Sequence, residues 1–203
     1  MEFTLKNYPC ALCGKDDTKP LLNKQGFPVV QCIHCGFVYV NPRVVNEELI
    51  SIYKHNYFTN RDYGYVDYEQ EKRLRLKNFE RWLKDAERFL PKEDPLYALD
   101  IGCAAGYCLD VMTAKGWKAM GLELDDTMCE RLRLNGYHFS GSSIEDFTVE
   151  NKYAVITLFD VIEHIPNIDI AFSKLSSLLA KNGIVIMVTP DHNSMQRKLL
   201  GKR

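Results

Sequence analysis

Apolar positions follow two periods along this chain. Tyr153-Ala154-Val155-Ile156-Thr157-Leu158-Phe159 is apolar at every position but Thr157, the pattern of a central strand covered on both faces of a parallel sheet. Leu96–Leu99, Ala119–Leu124, Tyr137–Phe139 and Ile184–Pro190 read as further strands. Between them the period becomes helical. From about Glu69 to Leu90, the positions Leu76, Phe79, Leu83, Ala86 and Leu90 mark one face of an amphipathic helix, with Pro91 and Pro95 beyond it. From about Asp169 to Ala180, Phe172, Leu175, Leu178 and Leu179 mark a second, which Asn182-Gly183 ends. Strands alternating with helices predict an α/β domain on a parallel sheet. Before residue 69 the apolar stretches are short: Phe27–Gln31 and Phe37–Val40 predict small strands of a ribbon that cannot hold a core by themselves.

With 203 residues, the chain has room for one well-filled core and a small module beside it. Its 26 Lys plus Arg against 27 Asp plus Glu leave no cationic surplus of the kind that grips nucleic acid, which argues against such a partner. No apolar run approaches the roughly 18 residues of a membrane span. The first ten residues lack a basic segment followed by an apolar one, so the expected location is cytoplasmic, without membrane insertion. In that reducing compartment seven cysteines need a reading other than structural disulfides.

Four of them group by spacing. Cys10-Ala-Leu-Cys13 and Cys32-Ile-His-Cys35 stand 18 residues apart, each followed by a glycine, Gly14 and Gly36. Two residues between thiolates let one tight turn present both to the same ion, and two such turns facing each other give tetrahedral sulfur coordination. The expected guest is structural Zn²⁺, with Cys10, Cys13, Cys32 and Cys35 as ligands and no position left open for chemistry. His34, inside the second knuckle, is expected at the surface. Cys103, Cys108 and Cys129 lack paired spacing and read as packing or pocket-lining residues. Three regions follow: a four-cysteine ribbon over 1–40, an aromatic-rich connector over 41–68, and the α/β domain over 69–203. The connector carries Tyr53, Tyr57, Phe58, Tyr63, Tyr65 and Tyr68, either as an active-site cover or as packing between two domains.

The candidate chemistry lies after the first strand of the α/β domain. Asp100-Ile101-Gly102-Cys103-Ala104-Ala105-Gly106 leaves that strand as a turn of small residues and leads into a helix at Tyr107, an arrangement that brings backbone N–H groups to the sheet edge. Glu123 ends the next strand, 21 positions after Gly102, where a carboxylate can accept both hydroxyls of a ribose. A dinucleotide fingerprint would require glycines at positions 104 and 107, where this chain has Ala104 and Tyr107, and that weakens an NAD-dependent oxidoreductase.

Leu99–Gly106 resembles the first motif of class I S-adenosylmethionine-dependent methyltransferases, an acid followed by spaced glycines. Phe159-Asp160-Val161-Ile162-Glu163-His164-Ile165-Pro166-Asn167 resembles the segment after the fourth strand of that family, and the ribbon in front resembles a four-cysteine subgroup. The resemblance implies a Rossmann-like parallel sheet with helices on both faces, with S-adenosylmethionine at its carboxyl edge. Asp100 would orient the amino acid end of that cofactor, and Gly102, Ala104 and Gly106 would pass beside its methionine part, Ala104 standing where the family has its middle glycine. Glu123, with Leu124 beside it, would hold the ribose. Ile144 would face the adenine, with Glu145 or Asp146 near its amino group, while Phe159 and Asp160 would line the cleft.

Methyl transfer needs alignment of nucleophile, methyl carbon and sulfur more than a conspicuous triad. His164 is the candidate base, with an orienting role for the loop as its alternative. The expected acceptor is a small molecule: a sugar, a lipid, a polyketide-like compound or a quinone precursor. A zinc-bearing interaction module on a degenerate enzyme fold is the remaining alternative. The family fold continues past the fifth strand, so the resemblance implies a domain truncated there, and the expected state is a monomer or weak homodimer.

Overall fold

A computed structural model describes residues 3–55, 57–58, 70–90, 92, 95–148, 151–191 and 194–195. Tyr63, Tyr65, Tyr68, Glu69, Pro91 and the terminal Leu199–Arg203 lie outside the described residues. The chain divides into two compact units: residues up to Ser51 with those from Pro190 onward, and Ile52–Thr189.

The first unit is built on a three-stranded antiparallel meander of β2 (Thr18–Lys24), β3 (Phe27–Cys32) and β4 (Val38–Val40), with β3 in the middle. A separate antiparallel pair joins β1 (Leu5–Lys6) to β5 (Arg43–Val44), after which helix α1 (Asn46–His55) begins. Sequence periodicity did not reveal β2, because Pro20 and four polar side chains break its alternation. What makes it a strand is the hairpin to β3. Gln25 and Gly26 both have left-handed backbones, φ 52° and 88°, and the Asn23 side chain accepts the Gly26 N–H. This is the two-residue turn whose twist matches paired strands. Helix α1 falls inside the segment that the sequence assigns to the connector, and it buries none of its side chains fully.

The second unit runs α2 (Lys72–Ala86), β6 (Tyr97–Ile101), α3 (Tyr107–Ala114), β7 (Lys118–Leu122), α4 (Asp126–Leu134), β8 (Phe139–Ser140), β9 (Tyr153–Phe159), α5 (Ile168–Leu178) and β10 (Leu179–Val188). The strands form one parallel sheet in the order β10-β9-β6-β7-β8. Two apolar layers cover it. One joins Phe79 and Leu83 of α2, Met112 of α3 and Leu132 of α4, and the other joins Ile144, Phe147 and the Ala171, Leu175 and Leu178 face of α5. With both faces covered, every residue of β9 is buried, which is why its sequence reads as a continuous apolar run. From β6 the chain winds outward through β7 and β8, then returns to β9 on the other side. The order therefore reverses between β6 and β9, and in such sheets the crevice for a ligand lies outside the carboxyl ends at that reversal.

Candidate functional site

The turn after β6 lies at that reversal. Gly102, Ala104 and Gly106 all have left-handed backbones, φ 70°, 46° and 83°. The close approach explains two of the glycines. A Cβ at Gly102 would stand 2.5 Å from Val161 Cγ2, and one at Gly106 would stand 2.8 Å from the Tyr137 ring. Gly102 N–H and Cys103 N–H both donate to the Leu122 carbonyl, so the turn is tied to the end of β7.

Glu123 fastens the same two loops through its side chain. Its Oε2 accepts the Ala104 N–H at 2.7 Å, and its Oε1 accepts the N–H groups of Leu124 at 2.7 Å and Asp125 at 2.8 Å. Burial pushes its carboxyl pKa up, against the pull of the N–H groups of Asp125, Ala104 and Leu124. Asp100 is fully enclosed at the end of β6. Burial pushes its pKa up to about 7, although Thr157 Oγ1 donates to Asp100 Oδ1 at 2.5 Å and pulls the other way. The negative Glu123 adds to the rise. Thr157 was visible in the sequence only as the one polar residue of its strand. Its register partner on β6 is Asp100, and that pairing is its purpose there.

The loop after β8 contributes unequally. Ile144 is buried in the apolar layer beside Phe147. Glu145 Oε1 is buried without a hydrogen-bond partner among the described residues, whereas Asp146 is exposed and accepts the Ser143 hydroxyl at 2.8 Å. A cleft of about 600 Å³ opens beside Leu124, between α4 at Asp126, Cys129 and Arg133 and the end of β8 at Ser140 and Gly141.

On the other side of the reversal, Phe159 turns into the core, its ring 5.1 Å from Phe79 and 5.0 Å from Trp82. Asp160 follows it with φ 57° and an exposed side chain 4.0 Å from Arg75. His164 ends a short 3₁₀ turn, Ile162–His164, and its Nδ1 is 2.7 Å from the Tyr53 hydroxyl. Burial lowers its pKa below the usual imidazole value. Tyr107, the first residue of α3, is buried, with Lys72 Nζ 5.0 Å from its ring and Arg131 donating to its hydroxyl. Asp100, Gly102, Ala104, Gly106, Glu123 and Leu124 are thus joined by direct bonds or chain continuity around one turn. Glu145, Asp146, Phe159, Asp160 and His164 stand on the neighbouring loops.

The remaining candidate centre is in the first unit. The sulfur atoms of Cys10, Cys13, Cys32 and Cys35 all lie within 4.8 Å of one another, with 3.5 Å between Cys10 and Cys35 and between Cys13 and Cys32. Tetrahedral zinc with bonds of 2.3 Å sets its sulfurs about 3.8 Å apart, and a disulfide would need about 2.05 Å. The donor set therefore fits a metal ion. His34 is outside it, exposed and paired with Asp17 at 2.8 Å.

A family model described as a methyltransferase domain matches residues 74–202. The chain belongs to the methyltransferase-domain family. It is a class I methyltransferase sheet preceded by a four-cysteine cluster. Among curated proteins, a Ubiquinone biosynthesis O-methyltransferase of Vibrio parahaemolyticus is 29% identical over 115 residues, 51% of this chain and 49% of that protein. The chain thus spans about half the length of the curated relatives it matches, or less. Among solved structures, the plantazolicin methyltransferase BpumL in complex with SAH superposes with a TM-score of 0.58 at 17% identity, over 75% of this chain and 61% of that one. An S-adenosylmethionine-dependent methyltransferase from Clostridium acetobutylicum superposes with a TM-score of 0.50 at 19% identity, over 60% of this chain and 55% of that one. These likenesses show the shared fold.

Proposed function

We propose that this chain binds S-adenosylmethionine at the carboxyl ends of β6, β7 and β9 and directs its methyl group to a small-molecule acceptor. The observation that carries the reading is the left-handed turn over Gly102, Ala104 and Gly106, held to the Glu123 carboxylate at the reversal of strand order. The residues present fit the cofactor. Backbone can approach closely only at glycines such as 102 and 106. Glu123 spends one oxygen on a single N–H, which leaves that atom a lone pair for a ribose hydroxyl. The Oε1 of Glu145, unpartnered among the described residues, is an acceptor for an amino group such as that of adenine, which favours Glu145 over Asp146.

In this reading Asp100 orients the amino acid end through the turn, Leu124 and Ile144 border the adenosine, and Asp160 stands at the methionine end. Phe159 shapes that end by packing against α2. When bound, the cofactor supplies an electrophilic methyl group on a sulfonium. The chain's own residues align the acceptor, exclude water and, at His164, take a proton from it. The four cysteines hold a structural Zn²⁺ that builds the ribbon. The functional organisation we adopt is ribbon 1–40, connector 41–68 and methyltransferase domain 69–203. The name of the Vibrio relative favours a quinone precursor among small acceptors. No helix among the described residues is long and apolar enough to cross a membrane, and we place the protein in the cytoplasm as a monomer or weak homodimer without a nucleic-acid partner.

Calorimetric titration with S-adenosylmethionine, S-adenosylhomocysteine and NAD tests the reading. The two sulfur compounds bind with Kd in roughly the micromolar range and NAD does not bind. Glu123→Ala weakens the sulfur compounds tenfold or more, about 1.4 kcal/mol. NAD binding in their place would return the chain to the oxidoreductases, and no binding of any would leave an interaction module.

A further inference from the structure

Residues 52–55, the last turn of α1, belong to the second unit and lie at the carboxyl edge of its sheet. In the Ile52–Thr189 unit, His55 Nδ1 meets Asp126 Oδ2 at 2.8 Å beside the end of β7, while Tyr53 meets His164 beyond the end of β9. The last turn of α1 is therefore held at two loops that flank the glycine turn. The Tyr53 ring packs at 4.9 Å from Tyr57 and 5.3 Å from the His164 ring, and Tyr57 lies 5.9 Å from that same imidazole. Two aromatic rings thus fix the plane of His164, and one hydroxyl addresses its Nδ1. Its Nε2 makes no hydrogen bond among the described residues.

We propose that Tyr53 is a positioning residue for methyl transfer: its phenolic oxygen accepts the Nδ1–H of His164, leaving the Nε2 lone pair as base for an acceptor whose nucleophile arrives protonated, a hydroxyl or an amine. The proposal rests on the methyltransferase reading above and deepens it. The direction of the hydrogen bond follows from what a base must do. A protonated imidazole carries N–H at both nitrogens. If Tyr53 donated to Nδ1, that bond would have to break and the hydroxyl turn each time His164 took a proton. If Tyr53 accepts from Nδ1, the same bond persists in both states and strengthens when the ring becomes charged. The tyrosine is suited to this role because burial raises its pKa, keeping the oxygen a neutral hydroxyl. Burial also holds His164 neutral and ready to accept. Glu163 and Asp160 are the acids near the ring, and both favour the imidazolium that forms.

The step balances without an oxidant or other co-reactant. The acceptor's electron pair forms the bond to the methyl carbon, the carbon–sulfur pair stays on sulfur, and the acceptor's proton goes to Nε2. An acceptor already deprotonated would make both Tyr53 and His164 dispensable.

The test is ¹⁵N NMR of the imidazole nitrogens in the full chain near pH 8, where His164 is neutral, with its signals assigned by their loss in His164→Gln. The expected wild-type state has the proton on Nδ1 and an unprotonated Nε2. Tyr53→Phe keeps the ring contacts and removes the oxygen, so the ratio of Nδ1–H to Nε2–H falls by roughly fivefold, the size of one neutral hydrogen bond. A proton on Nε2 in the wild type overturns the proposal, and so does a ratio unchanged by Tyr53→Phe. The wild-type measurement stands even if the variant folds poorly. Calorimetry on the same samples separates the two claims: loss of S-adenosylmethionine binding in the wild type sinks the methyltransferase reading, whereas binding with the other tautomer sinks only the role of Tyr53.

Discussion

Ala104 carries φ 46° at the middle position of the turn, where the resembled motif has glycine. A left-handed conformation costs an L residue about 1–2 kcal/mol. The charged hydrogen bond from its N–H to Glu123 contributes about 1.5–3 kcal/mol, enough to hold it there. Its neighbour Asp100 has the opposite economy. With a folded pKa of about 7 against an ordinary 3.8, it binds a proton more readily in the folded chain than in the unfolded one. Its contribution is therefore present below about pH 4 and is lost as pH rises toward 7. Asp100→Asn removes this dependence while keeping an acceptor for Thr157. Denaturant titrations at pH 5 and pH 8 should show the variant gaining roughly 2–3 kcal/mol on the wild type between the two. A gap that stays constant with pH would mean that Asp100 is ionised throughout.

At the scale of elements, the ribbon and the sheet are stabilised by different means. The meander of β2, β3 and β4 fully buries few side chains, Val30 and Cys32 among them, so the four sulfurs must supply what an apolar core supplies elsewhere. Structural zinc contributes on the order of 10 kcal/mol in such modules. Protein purified without chelator should contain one zinc per chain by metal analysis. Replacing Cys10 and Cys32 by serine should abolish the metal and collapse the amide dispersion of residues 3–51, while the Ile52–Thr189 unit keeps its far-ultraviolet signal. A dispersed ribbon in metal-free protein would refute this account. The two knuckles were legible because ligand spacing is a local property. Strand β2 and helix α1 were not, since one depends on pairing with β3 and the other is a ten-residue helix that buries none of its side chains fully. Strand β9 was read to the residue, as a strand buried on both faces has no other pattern available.

For the whole molecule, the even charge balance bears on partners more than on fold. With a formal net charge of -1, the chain should show no affinity for a single- or double-stranded oligonucleotide tighter than about 10⁻⁴ M at physiological salt, measured by fluorescence anisotropy. Tight, salt-sensitive binding would instead point to a cationic surface gathered by the fold. The amino-acid sequence by itself determined the α/β class, the four clustered cysteines, the glycine turn and the carboxylate that follows it, because periodicity and cysteine spacing are written within a few turns of chain. Tertiary structure alone decided what those groups meet. It set Thr157 against Asp100, tied Glu123 to Ala104, left Glu145 Oε1 without a partner among the described residues and brought Tyr53 to His164 across 111 positions of chain. Such meetings depend on strand order and on which loop crosses the sheet edge, and neither is encoded in the spacing of neighbouring residues.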